Sequence, residues 1–217
     1  MDVNHLVQTI AIVALPVILA ITLHEAAHGY VARHFGDLTA YAQGRVSLNP
    51  IRHIDVVGTI VVPLLILLVS GGMFLFGWAK PVPVNYSALR SPKQDMAWVA
   101  AAGPAANLAM SLAWALLLKL ALVLPLNFFT EPMMAMARAG ILVNLVFMFL
   151  NLLPILPLDG GRILASLLPG RASWKFSKLE PWGLPILLLL LFTHVLDFVL
   201  EPLVSAGVSF IHAVVML

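Results

Sequence analysis

The 217-residue chain is 61% hydrophobic and 10% charged, where an average soluble domain has roughly 45–50% and about 25%. A water-soluble globule of this length would leave a large apolar exterior, so the composition assigns the chain to a bilayer. A net charge of +2 without a basic block excludes a nucleic-acid surface, and the lack of cysteine excludes disulfides, thiolate metal sites and a cysteine nucleophile. Any metal has to be held by His, Asp or Glu.

In chain order, the first apolar run covers residues 6 to 32. It lacks a basic leader and a small-residue cleavage site, so it reads as a retained span rather than a signal peptide. A polar segment, Asp37 to Asp55, follows; Gly36, Gly44, Asn49 and Pro50 are its turn signals, and Tyr41 to Leu48 reads as a short strand pair. Residues 56 to 77 are apolar but interrupted by Pro63 and Gly71-Gly72, which fits either a span or a hairpin that re-enters from one face. Ser91, Pro92 and Gln94 then predict a helix start as N-cap, first helical position and capping-box partner. The run from 94 to 124 carries Ala97, Ala101, Ala105, Ala109 and Ala113 every four residues, a small-residue stripe that predicts a packing seam, with Pro104 as a kink or a new helix start. Runs at 133 to 153, 182 to 199 and 202 to 217 complete the series. The expected fold is an all-α, multi-pass membrane protein forming one domain over residues 1–217. It has about five to six transmembrane helices, a re-entrant segment and a short β-hairpin near the active site.

The sharpest local pattern is His24-Glu25-Ala26-Ala27-His28. Histidines four apart on a helix share one face, where two neutral imidazoles can ligate one zinc ion, and the intervening glutamate can reach a water there. The pattern ends an apolar run, where His and Glu are costly unless paired or functional. A catalytic zinc takes three protein ligands and keeps one open position. Asp159 is the candidate for the third, in Asn151-Leu-Leu-Pro154-Ile-Leu-Pro157-Leu-Asp159-Gly160-Gly161-Arg162, whose prolines and glycines break the helix. Broken backbone at membrane depth is tolerated where it lines a wet cavity or is buried in protein. Taken alone, without His24 and His28, Asp159 reads as the N-cap of a helix over Arg162 to Leu168.

Together these segments resemble the site-2 protease family of intramembrane zinc metalloproteases, in its compact bacterial branch without PDZ or CBS domains. The resemblance also takes in Gly103-Pro104-Ala-Ala-Asn107, Gly44-Arg45-Val46-Ser47-Leu48-Asn49-Pro50 and His53-Ile54-Asp55. It implies a catalytic core over about residues 6–168, with accessory spans at 180–217. It implies one Zn²⁺ per chain held by His24, His28 and Asp159, Glu25 as general base or acid, and Asn107 and Asn151 as groups for substrate backbone or oxyanion. The implied reaction is hydrolysis of peptide bonds within or next to transmembrane helices. The implied partners are a membrane-protein substrate and the bilayer, with a homo-oligomer left open. Cutting a helix requires unwinding it, and edge pairing with the Tyr41 to Leu48 strand would hold the unwound stretch.

Other polar residues have plainer readings. His53 and Asp55 fit capping or loop packing; His194, Asp197 and Glu201 fit an interfacial helix end; Asn144, two turns before Asn151, fits a hydrogen bond across helices. A transporter or a structural zinc scaffold would also place polar residues in spans; ion flux marks the first and a fourth protein ligand the second. Basic residues cluster in 33–52, 80–93 and 162–178, which positive-inside bias assigns to the cytoplasm of a cell membrane. Ligands cannot lie a bilayer apart, so an even number of crossings must separate the motifs. Residues 56 to 77 are then expected to re-enter, the N-terminus to lie outside, and the site to open toward the cytoplasm.

Overall fold

The computed structural model describes residues 3–62, 65, 66, 77 and 79–217. Helix α1 (Val3–His34) takes up the first apolar run. It stops at Gly36, whose φ of +106° is a conformation that side chains with a Cβ rarely adopt. Gly36 N–H donates to Arg33 O and Asp37 N–H to Ala32 O, closing the last turn.

Residues 37–91 leave this end of α1 and return to it. Asp37 is buried, its Oδ1 accepting from Thr39 N and its Oδ2 from Asn85 N. Arg90 N–H donates to Phe35 O at 3.0 Å. The residues just after α1 are therefore bonded to those just before the next long helix, and any crossings between them are even in number. Pro63, Gly71 and Gly72, on which the re-entrant reading rests, lie outside the described residues; Val56–Val61 form a short π-helical stretch capped by Asp55.

The strand pair expected at Tyr41 to Leu48 is not formed, and the described residues contain no strand. Thr39–Ala42 make one helical turn instead, ended by Gly44 at φ +62°. The few residues left before Asn49-Pro50 cannot pair as a hairpin. His53 packs in this loop, its Nε2–H donating to Ser47 O.

Helix α2 (Pro92–Val123) starts at Ser91 as expected, but the reaching acceptor is not Gln94. Asp95 Oδ2 accepts the Ser91 N–H at 2.7 Å. The helix runs unbroken through Pro104. Its seam is not the alanine stripe: Ala105, Ala109 and Ala113 are exposed, whereas Gly103, Asn107, Ser111 and Ala115, also four apart, are buried. Polar side chains decide this rotation, because Asn107 and Ser111 facing lipid would cost far more than alanine methyls do. Met110, Trp114 and Leu118 pack with Ile141, Leu145 and Met148 of α3 (Thr130–Asn151).

After α3 the chain turns into α4 (Asp159–Leu167), α5 (Gly170–Ser177) and α6 (Glu180–Phe192). The expected span at 182 to 199 is a correction: α6 has 13 residues, about 20 Å against a hydrocarbon core of about 30 Å. The break falls at His194, which is left-handed at φ 58°, and α7 (Val195–Val215) runs through Pro202 rather than starting at it. Four helices among the described residues, α1, α2, α3 and α7, are long and apolar enough to cross a membrane, fewer than expected.

Lys119 Nζ donates to Val215 O, joining the C-terminal ends of α2 and α7. Gly207 of α7 sits against Leu145 and Phe149, higher in the bundle. Helix α7 therefore runs parallel to α2 and begins at the end where α2 begins. Residues 152–194 thus start and finish at the same end as 35–91, and Lys93 Nζ bonds Leu168 O across them. All three basic segments share that end. The outward faces of the long helices carry exposed apolar side chains such as Ile10, Ile18, Leu116, Leu120 and Phe210, as a lipid-facing surface requires.

Candidate active site

The helical repeat sets His24 directly below His28 on the buried face of α1. Asp159 reaches them because the chain does not continue α3: Leu152 to Leu158 fold into tight turns, with Ile155 N–H on Leu153 O, Leu158 N–H on Ile155 O and a cis Leu156–Pro157 bond. Helix α4 then begins at Asp159 with its side chain turned toward α1 rather than capping its own helix. His24 Nε2 lies 3.1 Å from His28 Nε2, and Asp159 Oδ2 lies 3.2 Å from the first and 3.3 Å from the second. Three ligands about 2.0–2.1 Å from a tetrahedral zinc stand about 3.3 Å apart. The triangle fits that ion, and all three residues are buried.

Both imidazoles are held from behind. His28 Nδ1 meets Val99 O at 2.7 Å, and His24 Nδ1 meets Asn107 Oδ1 at 2.6 Å. An Nδ1–H donating to each acceptor leaves the Nε2 lone pairs to converge, the arrangement that fixes ring orientation in metal sites. Asn107 Nδ2 donates in turn to Asn144 Oδ1 at 3.0 Å, and Asn144 Nδ2 to Gly140 O. Space for the rings comes from Gly103: a Cβ there would stand 2.5 Å from His24 Cε1 and from His28 Nε2. Outside the pair, Arg162 stacks over Tyr86 and bonds Glu180, steadying the first turn of α4. Burial pushes the Tyr86 phenol above its usual pKa.

Glu25 is half-buried beside the pair, and its Oε2 accepts the Val82 N–H at 2.7 Å. Asn107 is fully buried, with its amide engaged by His24, Asn144 and, more distantly, Ala20 O. Asn151, at the end of α3, is half-buried, and its Nδ2 donates to Phe147 O. Asp55 caps the π-helical stretch, and His194 with Asp197 forms an exposed pair at the start of α7. Among the described residues, His24, His28 and Asp159 are the only such cluster able to hold a metal. The Val99 carbonyl and the Val82 amide were not singled out from the sequence, because backbone groups leave no residue-type signature; Gly103 entered only as part of the resembling segment, without this packing role.

A sequence profile of peptidase family M50 matches residues 127–193, which include Asn151 and Asp159 but not the histidine pair. Over 198 residues, 88% of this chain and 84% of the relative, the sequence is 39% identical to YwhC of Bacillus subtilis strain 168, named a candidate zinc metalloprotease. It is 30% identical to Rip2 of Mycolicibacterium smegmatis, named likewise, over 83% of this chain and 66% of that protein. The Mycobacterium tuberculosis H37Rv Rip2 is 29% identical over the same shares. No solved structure matches the chain. With the histidine pair, the broken segment and a relative of this similarity in hand, the chain belongs to peptidase family M50, the site-2 protease family of zinc metalloproteases.

Proposed function

We propose that this zinc metalloprotease hydrolyses peptide bonds within or next to the transmembrane helices of other membrane proteins. The observation that carries the reading is the triangle of His24 Nε2, His28 Nε2 and Asp159 Oδ2 beside Glu25, at the membrane end of an apolar helix. Among the described residues no fourth His, Asp or Glu joins that cluster, which favours an open hydrolytic site over a closed structural one. One chain supplies all three ligands, and residues 6–168 hold them. Helix α7 is an accessory span that joins the hydrophobic core through Val204, Ile211 and Val215.

Bound zinc supplies Lewis acidity, polarising a carbonyl and making water acidic near pH 7. Glu25 takes the proton as the water oxygen attacks the scissile carbonyl carbon, then delivers it to the nitrogen as the C–N bond breaks. Asn107 acts through His24, holding its ring and tautomer, while Asn151 stands at the α3 end for the substrate backbone. A substrate helix has its carbonyls internally bonded, so cleavage needs a stretch that unwinds, favoured by helix-weakening residues near the cut. The end carrying the three basic segments faces the cytoplasm of a cell membrane, and the site opens there.

Purified protein reconstituted with candidate single-span membrane proteins tests the reading, wild type beside Glu25→Gln, with and without a chelator. The expected result is products from the zinc-loaded wild type alone, with mass spectrometry placing the cut within or beside the span. Cleavage by Glu25→Gln at the wild-type rate would overturn it.

A further inference from the structure

Glu25 is a flexible side chain that must present one oxygen to a water. Among the described residues its hydrogen-bond partner lies 57 residues on: the Val82 N–H, donating to Oε2 at 2.7 Å, a length typical of a charge-assisted bond. The sequence around that donor is Pro81-Val82-Pro83. Neither proline has an N–H, so Val82 offers the sole backbone donor of the three, and no one-residue slip can substitute another. Pro83 also biases Val82 toward extended backbone, and residues 79–85 form no helix or turn.

The other face of the same peptide is held too. Arg45 Nη2 donates to Pro81 O at 3.1 Å and to Lys80 O at 2.8 Å. In a trans peptide the C=O and N–H point in opposite directions, so a guanidinium on the Pro81 carbonyl aims the Val82 N–H at Glu25 and polarises it. Depth of approach is set by Gly29 on α1, one residue past His28. A Cβ there would lie 2.9 Å from Val46 Cγ2 and 3.2 Å from Val82 Cγ1. Arg45 is itself fixed by its N–H on Ala40 O.

We propose that Arg45 is a positioning residue for the proteolytic reaction, acting through the Pro81–Val82 peptide to hold Glu25 Oε2 so that Oε1 faces the water. The inference rests on Glu25 being the base. Removal of the donor separates it from mere packing: Val82→Ala keeps the N–H and trims the side chain, whereas Val82→Pro deletes the N–H in a segment already flanked by prolines. On a membrane-protein substrate, Val82→Pro lowers kcat about tenfold or more with KM within about twofold, and Val82→Ala stays within about threefold. Arg45→Ala follows Val82→Pro in kcat, and Arg45→Lys recovers part of the loss. Zinc content stays at the wild-type level in all four.

A second readout needs no activity. In chelator-stripped protein the Val82 amide is the single exchangeable backbone hydrogen of residues 81–83, and it exchanges about tenfold or more faster in Glu25→Ala than in wild type. Equal losses in Val82→Pro and Val82→Ala would overturn the inference, as would equal Val82 exchange in wild type and Glu25→Ala. If Val82→Pro fails to fold, the exchange measurement decides. Activity retained by Glu25→Gln would instead remove the base assignment beneath it, a result none of the Val82 variants can mimic.

Discussion

Gly103→Ala adds one methyl group where the histidine rings meet α2. In isolation the change favours the helix by about 0.5–1 kcal/mol, since alanine loses less backbone freedom than glycine. At this position the new Cβ would stand 2.5 Å from His24 Cε1 and His28 Nε2, about 1 Å short of the roughly 3.5–4.0 Å of a good contact. Both rings must move, or α2 must retreat from α1. Zinc sites tolerate ligand displacements of only about 0.2 Å, so zinc affinity falls about 100-fold or more, about 2.8 kcal/mol. Competition against a chromophoric chelator in detergent measures it, with thermal unfolding of the stripped proteins as the check on the fold. Gly170→Ala is the matched control, because a Cβ there meets nothing within 4 Å, and its affinity stays at the wild-type value. Wild-type zinc affinity in Gly103→Ala would refute the packing argument.

Asn107→Ala strips the partner from His24 Nδ1 and from Asn144 Oδ1; zinc affinity falls about 10–100-fold, read by the same competition. Asp37→Ala leaves the Thr39 and Asn85 amides without their acceptor and destabilises the protein by about 2–4 kcal/mol; an unfolding midpoint equal to wild type would contradict this. In this cysteine-free chain, single cysteines at Ser87 and Ser173 label from the cytoplasmic face, and one at Phe128, exposed in the α2–α3 link, labels from the opposite face. Labelling of Ser87 and Ser173 from different faces would break the shared-end topology.

Legibility followed side-chain chemistry. Composition marked a helical membrane protein, and His24, Glu25, His28 and Asp159 were readable because ionisable side chains in apolar context need a reason to be there. The face of α2 was misread because spacing cannot tell Ala97 to Ala113 from Gly103 to Ala115. Only the desolvation cost of Asn107 and Ser111 chooses between them. The join at His194 escaped for a related reason: the apolar runs were divided between 199 and 202, yet the helix continues through Pro202, as a membrane helix can where neighbours satisfy the freed carbonyl. The strand pair failed on a local matter, the left-handed Gly44 closing a helical turn. What holds Glu25 is a backbone amide, which no residue type in the sequence marks.

The fold carries Asp159 to a histidine pair more than a hundred residues earlier in the chain. Zinc stoichiometry of the purified protein, stripped and refilled, tests this most directly across wild type, Glu25→Gln, His24→Ala, His28→Ala and Asp159→Ala. One zinc per chain is expected in wild type and Glu25→Gln, with binding weakened about 100-fold or more in each ligand variant. Full occupancy at unchanged affinity in Asp159→Ala would contradict the site.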